Sequence, residues 1–392
     1  MAKSNVRLND NRNVVESEAA IEKDNKIQEL RNALSTEFME RSDLVDGMLV
    51  ALISRENLLM LGPPGTAKSL ITKRICQALS GKYFSWLMGK LTTPEEVFGP
   101  PSLKGLEQDR YVRNTTGKLP DADIAFLDEV FKASSAILNT FLTLMNERVF
   151  FNDGKENPVD LQVIFGASNE LPQGEELAAL YDRFVLRYFV DYIQEDTNAE
   201  KLFGDLPAAK LPSITLDELK EYQEEAEKLS VPSNIVKSLV SLRRSINDAG
   251  LSVSDRKWRQ AVSVLKAFAW INGNSEVTED DLDILNNLLW NSIDQRSQVR
   301  KEVAKVCNPI NEKILQHQDA VADLYKKVQA NTIDVSEAFA KMQYARTELR
   351  KMETKNKNNK KLSHALEQVQ NIIQKIAQEK LGIDLEGLGL KK

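Results

Sequence analysis

The sequence predicts an α/β fold: a mainly parallel sheet flanked by helices, then an all-α lid and a helical C-terminal region. Three observations carry this. Short apolar runs bounded by turn residues recur at Asn57–Leu61, Ile124–Leu127 and Leu161–Ala167, with helical periodicity between them. A glycine- and proline-rich loop follows the first run directly and opens a helix at Lys68. After about Tyr192 the strand pattern stops and only helical spacing continues.

Taken in order, residues 1–24 are polar and read as a flexible tail. Residues 25–192 form the α/β core. From Lys26 to Arg55 apolar residues fall at helical spacing (Ile27, Leu30, Leu34, then Leu44, Met48, Leu49, Leu52), which predicts two helices broken near Glu37–Arg41. Asn57–Leu61 is a buried strand, Ala133–Glu147 a helix, and Leu186–Val190 a fourth strand. Residues 193–292, punctuated by Pro212 and Pro232, fit a four-helix lid. Residues 293–392 read as a helical extension with a stripe at Val299, Val303, Val306 and Ile310, which Pro309 should kink or end. The run from Lys355 to Lys361 reads as a solvated turn between two helices rather than a contact for an anionic partner. The last twelve residues carry several glycines and read as irregular.

Composition narrows the function. The 392 residues carry a formal net charge of −6, which argues against a bulk nucleic-acid binder. The two cysteines, Cys76 and Cys307, make neither a disulfide framework nor a zinc site, and they suit a reducing cytosol. With two histidines besides, His317 and His364, zinc chemistry or a Cys/His nucleophile is disfavoured. The first residues contain no apolar segment that would read as a signal peptide. No apolar run approaches the roughly 18 residues of a membrane span. The expectation is a cytoplasmic protein.

The loop Gly62-Pro63-Pro64-Gly65-Thr66-Ala67-Lys68-Ser69 has the spacing and the strand–loop–helix context of a phosphate-binding loop. Successive backbone N–H groups in such a loop converge on phosphate, and the following helix adds its positive end. Lys68 would reach the β- and γ-phosphates of ATP, and the Ser69 hydroxyl would ligate Mg²⁺. Leu70 completes the candidate nucleotide-binding residues. Ala67 stands where glycine is usual, so a Cβ must be tolerated there.

The second strand ends in Asp128 and Glu129, at the sheet edge where ligands bind in open α/β folds. Asp128 would hold Mg²⁺, largely through water, and Glu129 would orient and polarise the attacking water. An acidic strand-to-helix cap is the bland alternative, and the upstream loop displaces it. The third strand ends Ala167-Ser168-Asn169, where an amide beside Glu129 could fix the water without adding charge.

Together the blocks GPPGTAKS (62–69), LTTPEEVFGP (91–100), LPDADIAFLDEVFKAS (119–134), LNTFLTLMNERVF (138–150), GASNELP (166–172), ALYDRFVLR (179–187) and VSDRKWRQA (253–261) resemble the MoxR family of AAA+ ATPases, most closely its RavA-type branch. The likeness is dense from about residue 26 to 290 and general beyond 294. It implies an AAA+ P-loop core and a Mg²⁺-dependent ATPase in which Lys68, Ser69, Asp128 and Glu129 act as above. It further implies Asn169 as sensor 1, Arg183 as the arginine finger and Arg256 as sensor 2, although Arg256 could instead form a lid salt bridge. Thr92–Gly117 would be the helix-2 insert and Phe150–Leu161 the pre-sensor 1 hairpin. A finger supplied by a neighbour implies a homo-oligomeric ring, most simply a hexamer. Arg148 and Arg187 are weaker finger candidates, for which simple pairing with a carboxylate is the preferred reading.

The resemblance implies a chaperone-like remodelling ATPase whose partners carry a von Willebrand factor A domain. A nucleic-acid-stimulated ring motor is the alternative, because the same clade is similar to MCM helicases. The insert's Lys104, Arg110, Tyr111, Arg113 and Lys118 could grip a peptide or nucleic acid, or be a solvated hairpin tip. A nucleotide switch without turnover is a third reading, against which the intact Glu129 counts.

Overall fold

A computed structural model describes residues 26–381, apart from 173, 205–207, 307–308, 331 and 356–359. The expectations for residues 1–24, for the centre of the 355–361 turn and for the chain from 382 onward lie outside the described residues. The chain divides into two compact units. One holds the described residues up to Ile235 together with Ser252–Ile293; the other holds Val236–Leu251 and the described residues from Asp294.

The first unit opens with helices α1 (26–37) and α2 (Ser42–Ser54), separated by the expected break. Then come β1 (Asn57–Leu61), α3 (Lys68–Leu79), β2 (Tyr83–Leu87), the short helices α4 (Pro94–Phe98) and α5 (Leu103–Leu106), β3 (Ile124–Asp128) and α6 (Ser135–Glu147). A hairpin of β4 (Val149–Asn152) and β5 (Lys155–Pro158) leads to β6 (Val163–Ser168), α7 (Glu175–Arg183), β7 (Phe184–Phe189), α8 (Asp196–Leu202) and α9 (Leu216–Lys228). Helix α10 (Ser233–Asp248) crosses the boundary between the units, and α11 (Asp255–Ile271) returns to the first.

Five strands form a parallel sheet in the order β2-β3-β6-β1-β7. Every residue of β1 and β6 is buried, as continuous apolar runs in a sheet covered on both faces require. Strand β2 escapes a reading of apolar runs for the opposite reason. It lies at the edge, and within Tyr83-Phe84-Ser85-Trp86-Leu87 only Phe84 is buried. Gly166 is needed for packing rather than for a turn: a Cβ there would lie 2.6 Å from the Phe184 ring.

The strand order reverses beside β1. The chain leaves β1 for the far edge at β2 and works back through β3 and β6 before crossing to β7 on the other side of β1. Such a reversal opens a crevice at the carboxyl ends of the strands. Pairing of Leu61 with Ser168 and Phe189, and of Leu87 with Asp128, brings these strand ends into line. Gly62, Glu129 and Asn169 are therefore the first residues beyond neighbouring strands.

The second unit contains α12 (Arg296–Val306), α13 (Pro309–Gln329), α14 (Val335–Lys355) and α15 (Lys360–Ile376). Pro309 is the first residue of α13, where its missing N–H is harmless. Ile314, Val321 and Val328 recur along α13 at heptad spacing. They meet Met342 and Leu349 of α14 and Leu362, Val369 and Ile373 of α15 in one apolar core. Among the described residues no helix is long and apolar enough to cross a membrane.

Candidate nucleotide site

The glycine-rich loop joins β1 to α3. Gly62 donates its N–H to Ser168 O at 3.1 Å, and Val190 donates to Leu61 O at 2.7 Å, so the loop leaves the sheet from a fixed point. Gly62 has φ +141° and passes so close to β7 that a Cβ would lie 2.1 Å from Val190 O. Ala67 is held in the left-handed region, at φ +65°, immediately before α3. That conformation costs a residue with a Cβ about 1–2 kcal/mol. The side chain expected to be tolerated there is accommodated exposed, without escaping the left-handed backbone.

Lys68 is buried. Its ammonium donates to Gly62 O at 2.9 Å, Pro63 O at 2.8 Å and Thr66 Oγ1 at 3.3 Å, satisfying all three donors from the loop itself. Burial pulls its pKa down; Asp128 and Glu129 oppose this, and Arg41 adds to it. Arg41 precedes α2, bonds Asp191 O and is felt at Lys68, a neighbour that no motif announces. Ser69 and Leu70, in the first turn of α3, are exposed.

Asp128 ends β3. Its Oδ1 accepts from Glu129 N at 3.0 Å, and among the described residues its Oδ2 has no recorded partner. Glu129 has φ +52°, an unusual backbone for a residue with a Cβ. Asn169 Nδ2 donates to Glu129 Oε1 at 2.7 Å, joining the tips of β3 and β6 as the sequence suggested. Lys132 Nζ lies 3.3 Å from Glu129 Oε2, so each carboxylate oxygen has a partner. Among the described residues no cluster of three or more His, Cys, Asp or Glu could hold a metal unaided. The Ser69 hydroxyl and the free Asp128 oxygen are hard donors of the type Mg²⁺ takes when phosphate oxygens and water complete its shell.

The two remaining site candidates lie together elsewhere in the same unit. Arg183 ends α7; its Nη1 donates to Ala179 O at 2.8 Å, while its Nε is buried without a partner. Arg256, in the first turn of α11, is exposed and bonded to Asp182. The two guanidiniums are close enough that Arg256 lowers the pKa of Arg183, after the larger effect of burial. Asp182 and Lys257, which contact Arg256 or its partner, were not among the candidates. They sit within blocks whose sequence separation hides that α7 and the start of α11 meet.

The weaker finger candidates are inward-facing. Arg187 is fully buried in β7, bonded to Phe184 O, Tyr181 O and Trp290 O and stacked 3.7 Å from the Tyr181 ring centroid. Arg148 donates to Arg55 O at 3.0 Å and Gln162 O at 3.2 Å, near the amino end of β1 and away from the crevice. Beside it, burial pushes the Glu56 carboxyl up to about 7, while Arg148 and bonds from Gln260 and Ser263 oppose the shift. An acid with a raised folded pKa is stabilising only while protonated, so its contribution is lost as pH rises from the ordinary carboxyl range through about 7. Glu56→Gln should therefore be more stable than the parent at pH 8, by about 1–3 kcal/mol, with the gap closing towards pH 5. Denaturant titrations at the two pH values read this directly; an equal gap at both would refute it.

The insert's cations are largely committed within the chain. Arg110 pairs with Asp153 of the β4–β5 turn at 2.5 Å. Arg113 bonds Gly99 O at 2.8 Å and Glu95 at 3.2 Å, and Lys118 bonds Glu96 O at 3.0 Å. Asn152 exchanges hydrogen bonds with the Arg113 backbone at 2.8 and 3.1 Å, so insert and hairpin are tied together. Lys104 and Tyr111 remain exposed.

This strand order, with a glycine-rich loop after β1 and an acidic tip on β3, is an AAA+ α/β fold. Comparison with known proteins agrees. The model for the MoxR domain of MoxR-vWA-beta-propeller ternary systems matches residues 25–226, and the AAA lid domain model matches residues 234–303. The chain belongs to the MoxR family of AAA+ ATPases. It is 36% identical to an uncharacterized protein of Methanocaldococcus jannaschii over 88% of this chain and 94% of that protein. It is also similar to the chaperone MoxR1 of Mycobacterium tuberculosis, at 23% identity over 47% of this chain and 50% of that one. A crystal structure from Cytophaga hutchinsonii, assigned as an ATPase, superposes with a TM-score of 0.59 at 17% identity. The match covers 74% of this chain and 97% of that one and bears on the fold alone.

Proposed function

We propose that this MoxR-family ATPase works as a ring, most simply a hexamer, hydrolysing Mg²⁺-ATP to ADP and phosphate to remodel or mature a partner protein. The observation that carries the reading is the 2.7 Å bond from the Asn169 amide to Glu129, one strand from the phosphate loop. It holds a carboxylate at the sheet edge where the terminal phosphate of a loop-bound nucleotide would lie. In this reading the loop N–H groups and Lys68 bind the phosphates. Ser69 and Asp128 hold Mg²⁺, which when bound neutralises charge on the phosphate oxygens. Glu129 takes a proton from the attacking water as Asn169 fixes its orientation. Arg183 and Arg256 bring positive charge to the phosphate bound by the adjacent subunit.

The partner reading rests on the family. The matched model is named for systems that pair a MoxR domain with a von Willebrand factor A domain protein, and one relative is named a chaperone. Within the family we assign the chain to the RavA-type branch, on the sequence blocks quoted above. Asp153 and Glu95 pair with Arg110 and Arg113, which lowers the net positive charge the insert would offer a nucleic acid.

Glu129→Gln tests the reading. It should bind ATP like the parent and release phosphate about 10²–10⁴-fold more slowly, the usual worth of a general base. Held in the ATP-bound form, it should co-elute in gel filtration with a purified von Willebrand factor A protein of the same system in ATP but not in ADP. Undiminished turnover would remove Glu129 from its role, and identical elution in both nucleotides would remove the partner.

A further inference from the structure

Asp182 is the last residue but one of α7, directly before Arg183. One of its carboxylate oxygens, Oδ2, accepts a hydrogen bond from Arg256, and the other, Oδ1, lies 3.6 Å from Lys257 Nζ. Arg256 and Lys257 occupy the first turn of α11. That is the positive end of a helix dipole, the wrong end for cations. Lys257 is also almost fully buried, with the buried Arg187 nearby. Burial and Arg187 together pull its pKa down to about 7, and Asp182 is the group that opposes them. Arg183 lies near enough to Arg256 to feel its charge. Guanidiniums near one another repel, and an anion beside them offsets the repulsion. Asp182 is that anion within the chain. Its bond engages one guanidinium nitrogen of Arg256, and the guanidinium has further donors.

We propose that Asp182 is a positioning residue for hydrolysis: it clips Arg256 to the helix that carries Arg183, so that both guanidiniums reach the terminal phosphate on the neighbouring subunit as a preassembled pair. A phosphate group is the ligand that suits such a pair, because its oxygens accept from two planar forks at once. The proposal rests on the reading that Arg183 acts across a subunit boundary. It adds that one carboxylate holds lid and core arginines in a single array, so that a lid displaced from α7 withdraws Arg256 and leaves Arg183.

Full-length chains carrying Arg183→Ala, Arg256→Ala or Asp182→Asn are assayed for phosphate release alone and in equal mixtures with Lys68→Ala chains. Alone, Asp182→Asn should lose up to about 100-fold in kcat, as misplaced groups do, with ATP affinity unchanged. In random mixed rings half the subunits keep the phosphate loop and half of those border intact arginines, so turnover should return to about one quarter of the parent rate. Asp182→Glu should keep most of the activity, which separates loss of the carboxylate from misfolding. The double variant Asp182→Asn, Arg256→Ala should be no slower than Arg256→Ala alone. If Arg183→Ala recovers in the mixture and Asp182→Asn does not, Asp182 acts within its own subunit and the proposal is overturned. A double variant markedly slower than Arg256→Ala overturns it as well. If Arg183→Ala itself fails to recover, the trans reading falls and takes this proposal with it.

Discussion

Lys68→Ala should leave a folded chain that no longer holds ATP. The ammonium would make about two charge-assisted hydrogen bonds to phosphate, each worth about 1.5–3 kcal/mol. Their combined loss, about 3–6 kcal/mol, weakens binding by roughly 10²–10⁴-fold, which puts the complex beyond ordinary nucleotide concentrations. Stability should move the other way or stay level. Lys68 is buried and its pKa is lowered, chiefly by burial, so its charge is less favourable in the folded chain than in the unfolded one. The sign follows. A base with a depressed folded pKa costs stability while protonated, and that cost is relieved as pH rises from the folded value towards the ordinary one. At neutral pH the alanine variant should therefore match or exceed the parent in a thermal melt without nucleotide. A residue that lowers stability where it sits is expected at a binding site and not in a core. Isothermal calorimetry showing parent-like ATP affinity would end the assignment of Gly62–Ser69 as the phosphate loop.

The contrast between Lys68 and Asp182 shows what a sequence can and cannot disclose here. The candidate phosphate loop is legible because its signature is local. Gly62, Ala67 and Lys68 act through the backbone of one turn, and the strand before it announces itself as five consecutive apolar residues. Asp128 and Asn169 are legible for a related reason: each follows an apolar strand, and parallel pairing brings strand ends together without knowledge of side chains. Strand β2 was not legible, because an edge strand needs no apolar face on its outer side and leaves only Phe84 buried. The Asp182–Arg256 contact was not legible because it joins residues 74 positions apart in two helices, and nothing in either helix specifies how they meet. Local motifs thus name candidate phosphate-binding groups, and tertiary packing decides which cations are buried and which stay accessible. The arginines make the same point. Arg148, Arg183 and Arg187 are indistinguishable as residue types, yet Arg187 is fully buried and bonded to carbonyls, Arg148 lies by the amino end of β1, and Arg183 at the end of α7 is only partly buried.

Arg183→Ala should abolish turnover by the homogeneous ring, with a loss of about 10³–10⁵ in kcat, and should leave ATP binding to the same chain intact. Charge accumulates on the γ-phosphate oxygens as the bond to the leaving group breaks, and a guanidinium in a closed site stabilises that charge more than the ground state. The carboxylate next to Arg183 is engaged by Arg256 and Lys257, and no carboxylate of its own chain forms an ion pair with Arg183 among the described residues. Its recorded hydrogen bond goes to Ala179 O, a contact that orients the side chain without neutralising it. In the proposed ring, Arg183 serves another subunit's phosphate. Two measurements follow. Parent turnover per subunit should rise steeply with protein concentration through the assembly range, because a lone subunit lacks the finger at its own site. Mixing the variant with Lys68→Ala chains, each inactive by itself, should restore phosphate release. Equal per-subunit turnover at all concentrations, together with inactive mixtures, would place Arg183 outside the reaction and leave the ring without a chemical reason to form.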